Sequence, residues 1–208
     1  MHAAVATLND YADDGIAYFQ QQVYLRQNIT PACRSGCSYC CHGPVHLTPL
    51  ELLNIVLHIN SADVTVAQRA DWQARISSRL AFIGTLAVSD QLQMTIPCPF
   101  LCDGSCSIYA VRPLFCRGRN VIGIAACQAG FANPAEPQQY EIIQEQMLLS
   151  QCLVLNILLA LKKIGLPDQF VDLSLASIMA FDTPDLVERW LDGDNVLSGA
   201  ELQAHSES

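Results

Sequence analysis

Apolar side chains recur at helical rather than strand spacing over most of this chain. From about Leu8 to Asn28, the positions Tyr11, Ile16, Tyr18, Phe19, Val23 and Leu25 mark one uneven apolar face, which Asn28 to Pro31 then breaks. Thr48-Pro49-Leu50-Glu51 reads as a capping box with proline at the first helical position, so a helix is predicted from about Pro49 to Ile59. A second helix is predicted over Val64 to Ala87, where Ala70, Trp72, Ile76, Leu80, Ile83 and Leu86 stand at near-helical spacing. Asn133-Pro134 and Pro137 introduce a long helix from about Gln138 to Ile164, closed by Lys162, Lys163 and Gly165. Shorter helices follow at Asp168 to Phe181 and, capped by Thr183-Pro184, at about Pro184 to Leu191, and the last dozen residues read as frayed.

Between these helices the stretch Met94 to Arg119 is rich in turns, with Pro97, Pro99, Gly104 and Pro113 limiting regular structure. Within it, Ser107 to Arg112 has room for one helical turn before Pro113 ends it. No internal repeat or sustained strand alternation appears. The expected fold is mainly α, a helical domain with an irregular, turn-rich, cysteine-bearing middle. At 208 residues the chain makes one domain, with the cysteine region at about 30–120 and a C-terminal helical part at about 133–192.

Composition narrows the partners. Hydrophobic content of 51% against 15% charged residues suits a compact globule. A net charge of −9 leaves no basic stripe to neutralise phosphates, which disfavours nucleic acid. The amino terminus carries Asp10, Asp13 and Asp14 and no apolar run of signal-peptide length, so a cytoplasmic setting is expected, where clustered cysteines hold metal more often than disulfides. The apolar run Met147 to Leu161 is interrupted by Gln151 and Asn156 and falls short of the ~20 residues of a bilayer crossing, so a buried core helix and no membrane contact are expected. A protein partner or protein substrate remains open.

Eight of the ten cysteines fall into two compact groups. The first is Cys33, Cys37, Cys40 and Cys41; the second is Cys98, Cys102 and Cys106, followed by Cys116. Thiolates two to four residues apart on a turn converge on one cation or cluster without long-range chain closure, so these eight are the expected metal ligands. Adjacent side chains such as Cys40 and Cys41 point apart in most backbone conformations, so the pair either splits between two centres or leaves one member to pack. Eight thiolates suit two four-cysteine sites, or a cluster beside a structural zinc. The four-residue steps 33–37, 98–102 and 102–106 are wider than a zinc-ribbon knuckle, which favours an iron–sulfur cluster, 4Fe-4S in type, over zinc. Arg34, Arg112, Arg117 and Arg119 stand in these windows against one acid, Asp103, as counter-charges to a thiolate site or as ordinary surface residues.

Cys33, Cys37 and Cys40, with Tyr39 beside the third cysteine, also resemble the cluster loop of radical S-adenosylmethionine enzymes, but the alternating strands and helices those enzymes need are not in evidence. The whole series, Cys33…Cys37-x2-Cys40-Cys41, Leu47-Thr48 leading to Glu51, then Cys98-Pro-Phe-Leu, Gly104, Cys106-Ser-Ile-Tyr, Arg112-Pro113 and Cys116-Arg117, resembles the YkgJ-like cysteine-cluster family. That resemblance covers roughly residues 30 to 120. It implies zinc or iron chelation, with a branch linked to methyl transfer onto protein lysines through the related flagellin lysine N-methylases. The first spacing here is x3 where many members have x2.

Other residues carry bland readings beside sharp ones. His42 and His46 flank the first group as spare ligands or as loop histidines bonded to backbone. Cys127 and Cys152 lack close partners in sequence and read as small core hydrophobes, with Cys127 alternatively reaching the metal region as a further ligand. Tyr109 and Arg112, three apart, share a face that lines a pocket or pins a loop. Asp103-Gly104 is a turn. No Ser/His/Asp set, paired carboxylates or phosphate loop stands out, so the sequence leaves open whether the chain is an enzyme or a non-catalytic zinc-binding structural or interaction module.

Overall fold

The computed structural model describes residues 2–34, 36–86 and 95–201. The expected boundaries Ala87 and Met94 lie outside the described residues, as do the side chains of Leu8 and Val23 and the tail 202–208. Helix α1, His2–Phe19, continues through a π-helical stretch, Gln20–Tyr24, into Leu25–Gln27. Asn28 ends it in the left-handed region at φ 56°, where the Ile29 N–H returns to the Tyr24 carbonyl at 2.8 Å. The expected aromatic face is not the buried one: Tyr11 and Tyr18 face solvent, while Ala12 and Tyr24 are buried. The reason is a close approach. A Cβ on Gly15 would stand 2.5 Å from Leu149 Cδ2, so the small residues of α1 turn inward against the long helix α6, Gln144–Ile164.

Helix α2, Pro49–Ile59, carries the expected capping box, with Thr48 accepting from Glu51 N–H and the Glu51 carboxylate accepting from Thr48 N–H. Helix α3 runs Val66–Ile83, behind a second capping box at Thr65 and Gln68 that the apolar periodicity alone did not locate. Two-residue strands β1, His46–Leu47, and β4, Val171–Asp172, pair antiparallel, which ties the exit of the first cysteine segment to helix α7, Leu173–Asp182. Strands β2, Leu101–Cys102, and β3, Ser105–Cys106, form a hairpin across Asp103-Gly104, both at positive φ as a two-residue turn requires. The helical turn expected near Pro113 is a 3-10 turn at Tyr109–Val111, and Pro113 then starts helix α4, Leu114–Gly118, rather than ending regular structure. Helix α5, Ala125–Ala132, has no counterpart in the sequence reading.

The core gathers Leu47, Leu52, Leu53, Ile76, Phe100, Leu114 and Trp190 from across the chain. Helix α6 begins six residues later than predicted, because the segment before it pairs with 120–122: Ile122 N–H donates to Glu141, and Ile143 N–H to Asn120. Nor is it a buried core helix. Its 21 residues are long and apolar enough to cross a membrane by length and composition, and only 22% of its most apolar window is buried. Val154, Ile157 and Leu161 pack inward while Leu148, Leu155 and Leu159 stay exposed on the opposite face. Helix α8 covers Leu186–Leu191, starting two residues after the expected first residue, Pro184. The end of the described chain is not frayed: Leu197 and Ala200 are each 1% exposed, and Ala200 accepts from Asp172 N–H.

Candidate metal centre

Backbone hydrogen bonds draw the two cysteine segments together. Cys98 N–H donates to the Cys41 carbonyl at 2.7 Å, and Ile96 N–H to the His42 carbonyl at 2.8 Å. At the other end of the first segment, Ala32 N–H donates to Val121, and Cys33 N–H to the Asn120 side chain at 3.3 Å. Helix α5 closes over the 3-10 turn Tyr39–His42, with the Phe131 ring edge-on to Tyr39 at 5.6 Å and to His42 at 4.8 Å. These contacts follow from separate local signals: Pro97 precedes Cys98 outside regular structure, Pro99 sits in the turn that Leu101 N–H closes onto the Cys98 carbonyl at 3.0 Å, and the 3-10 turn holds the first segment compact.

All ten cysteines are free thiols. Cys40 and Cys41 act strongly on one another, which pulls Cys40 down to about 6 and pushes Cys41 up. Burial raises Cys33 and Cys98, each to about 11, and raises Cys106, Cys116 and Cys127. Cys41 and Cys116 each lie within electrostatic reach of Cys98, and Cys98 within reach of Cys106. Seven of the eight expected ligands thus surround one region. Cys102 stands apart, its thiol directed at the Asp103 carboxylate at 3.7 Å. Cys127, read from the sequence as a core residue or a further ligand, lies half-buried within electrostatic reach of Cys37 and Cys40. Among the described residues, no three His, Cys, Asp or Glu side chains stand close enough to hold one ion as they are.

Positive charge surrounds the thiols. Arg117 is fully buried at its side chain, pairs with Asp13 of α1 and donates to the Ala110 and Arg112 carbonyls. Arg112 lies 3.7 Å over the Tyr109 ring and 3.6 Å from Asp13, so this pair pins the loop beside Cys106. Arg119 acts on Cys40 and Cys127. The arginine that sequence reasoning missed is Arg79. It is 9% exposed and clamps both cysteine segments, donating to Ile96 at 2.7 Å, Pro97 at 2.8 Å and Gly43 at 3.3 Å. No carboxylate among the described residues stands within ion-pair distance of it; the Cys98 thiol and the more distant Asp172 carboxylate are the groups that act on it. Only its place on the buried Trp72–Ile76 face of α3 could have drawn attention to it. His42 accepts the bland reading, its Nδ1 2.9 Å from the Ser38 carbonyl, and His46 lies in β1.

Helix α4 positions Cys116 through Glu51. The buried Glu51 carboxylate accepts from Leu114 N–H at 2.7 Å, two residues before that cysteine, while its other oxygen accepts from Thr48 N–H at 2.9 Å and Thr48 Oγ1 at 2.8 Å. A groove of roughly 400 Å³ opens beside Cys98, walled by Arg75, Arg79, Phe82 and Leu101.

A family model, CxxCxxCC, described as "Putative zinc- or iron-chelating domain", matches residues 32–144, just over half of the chain. No curated protein and no solved structure matches.

Proposed function

This chain belongs to the CxxCxxCC family of zinc- or iron-chelating domains, and we propose that the metal it binds is an iron–sulfur centre serving electron transfer. The observation that carries this reading is the meeting of two distant cysteine segments, joined by the Cys98 N–H to Cys41 carbonyl bond, beside a buried guanidinium with which no carboxylate among the described residues forms an ion pair. The donor set is soft and, apart from the flanking histidines, purely thiol, which suits iron–sulfur and zinc alike. Spacing favours the first. A zinc ion draws each thiolate to about 2.3 Å, and among the described residues no three ligating groups stand at single-ion spacing. A cluster brings its own sulfides and several irons and bridges a wider ring of thiols.

The chain's own part is to hold and compensate charge. Arg79 donates to three carbonyls that flank the thiols and presents its positive charge to Cys98, while Arg112 and Arg117 do the same for Cys106. Hydrogen bonds and cations of this kind set a cluster's potential. Most of these thiols are held protonated by burial, so metal uptake releases protons and adds its binding free energy to folding. The groove beside Cys98 leaves room for a small partner or substrate group against the centre, which favours a working site over a closed structural one.

Anaerobic purification, with iron, acid-labile sulfide and zinc determined beside an absorption spectrum, tests this. Iron and sulfide in similar amounts with a broad visible band are expected, and chelation should then unfold the cysteine-bearing middle. A colourless protein holding stoichiometric zinc alone would overturn the iron–sulfur reading.

A further inference from the structure

We propose that Cys127 is a ligand and Cys102 is not, so that the thiols form two four-membered groups, Cys33, Cys37, Cys40 with Cys127 and Cys41, Cys98, Cys106 with Cys116, each holding its own inorganic centre. This rests on the metal-binding reading above and adds the ligand set and the number of sites.

Three independent pieces of geometry point to it. First, the β2–β3 register pairs Leu101 with Cys106 and Cys102 with Ser105. Directly opposed residues in an antiparallel pair share a face and successive ones alternate, so Cys106 and Cys102 lie on opposite faces of the hairpin. Cys106 is the one packed against the core; Cys102 turns to Asp103. One hairpin cannot aim both at one centre.

Second, α5 is fastened to the turn that carries Cys40. Phe131 packs on Tyr39 and His42, and the Gln128 side-chain amide reaches the Tyr39 hydroxyl at 3.4 Å. Cys127 stands one helical turn before Phe131, on the same face, and therefore looks at the same turn. The Ala32–Val121 and Cys33–Asn120 bonds bring Cys33 alongside the start of that same segment.

Third, the backbone divides the remaining thiols in the same way. Cys98 N–H donates to the Cys41 carbonyl at 2.7 Å, which sets Cys41 against the second segment, while Ala32 and Cys33 are tied at the other end of the first segment to Val121 and Asn120. Cys98 and Cys106 both pack against the buried cluster that includes Leu114, two residues before Cys116.

The test compares metal and sulfide content per chain, with X-ray absorption at the metal edge, for anaerobically loaded wild-type protein, Cys127→Ser, Cys102→Ser and the exposed-site control Cys152→Ser. Cys127→Ser should lose about half of the metal while Cys102→Ser and Cys152→Ser keep all of it. Because Cys127→Ser alone could misfold, loaded wild-type protein is also alkylated and mapped by mass spectrometry: Cys102 and Cys152 should label at once, and Cys127 only after chelation. A loaded wild type whose Cys127 labels freely, or a Cys102→Ser protein that loses half its metal, overturns the assignment while leaving metal binding intact. A wild type that takes up neither iron nor zinc on reconstitution overturns both.

Discussion

Replacing Arg79 by Met asks how far one guanidinium holds the two cysteine segments together. Methionine keeps most of the apolar stem that lies along α3 and removes the fork. Three carbonyl bonds go with it, at 2.7, 2.8 and 3.3 Å. Hydrogen bonds from a charged donor contribute about 1.5–3 kcal/mol each, and the longest of the three counts least. Against that loss stands the desolvation of a buried cation, worth several kcal/mol, which the variant no longer bears. The net expectation is a destabilisation of about 2–4 kcal/mol, since the orphaned carbonyls of Ile96, Pro97 and Gly43 stay shielded. Urea unfolding of the metal-free protein, followed by circular dichroism, reads this as a midpoint lowered by about 1–2 M at ordinary slopes. In loaded protein, removal of a group that orients and compensates ligands costs about 10- to 100-fold in metal affinity, measured by chelator competition. Arg79→Lys, which keeps the charge without the fork, should recover part of the affinity and less of the stability. If Arg79→Met unfolds within about 0.5 kcal/mol of the wild type and holds metal equally well, the clamp is ornamental and the argument fails.

Two substitutions probe the scaffold around Cys116. In Glu51→Gln one oxygen becomes an amide, so either the Leu114 or the Thr48 N–H faces a donor, a cost of about 1–3 kcal/mol by urea unfolding. Burial raises the Glu51 carboxyl above its ordinary range, so the native state holds that proton more tightly than the unfolded chain does. Its contribution is then full below the unfolded value and fades as pH rises through the folded one, and the gap between wild type and Glu51→Gln should narrow from pH 4 to 7; a widening gap would refute the assignment. Gly118→Ala drives a methyl into Ser150 Oγ and to 3.0 Å from the Gln146 carbonyl, so α4 must lift from α6 at about 1–3 kcal/mol. Thermal melting should fall by about 2–4 °C per kcal/mol, and an unchanged melting temperature would mean that the close packing of α4 on α6 is not needed.

The helices that sequence reading located best are those whose signals are local. Thr48-Pro49-Leu50-Glu51 contains both halves of its capping box and a preset first φ, so α2 matched at both ends. The same logic sits in Thr65 and Gln68, but apolar Val64 pulled the expected boundary outward. What stayed hidden depends on tertiary pairing. Residues 138–143 have no sequence mark separating them from α6; they leave the helix because Asn120 and Ile122 bond to them. The aromatic face of α1 gave way to its small one because α1 and α6 pack more closely than a Cβ at Gly15 would permit. Strands two residues long are too short for alternation to register at all.

At the metal centre the same distinction separates what clustering can and cannot show. Spacing along the chain says which thiols are near each other in sequence, and it names Cys98, Cys102 and Cys106 with equal force. Whether each faces inward is a matter of strand phase, and the Asp-Gly turn sets that phase by placing Cys102 opposite Ser105 and Cys106 opposite Leu101. A turn one residue longer would exchange the two faces. Cys127 carries the opposite lesson: eleven residues beyond Cys116 it has no spacing signal, and Phe131 and Gln128 deliver it to the turn at Tyr39. Arg79 is legible in neither way, because its role is fixed by three backbone carbonyls from two segments. A thiolate site in an acidic protein needs positive charge close by; Arg112, Arg117 and Arg119 supply part of it from within the second cysteine segment, and Arg79 adds a buried charge from α3, outside either segment.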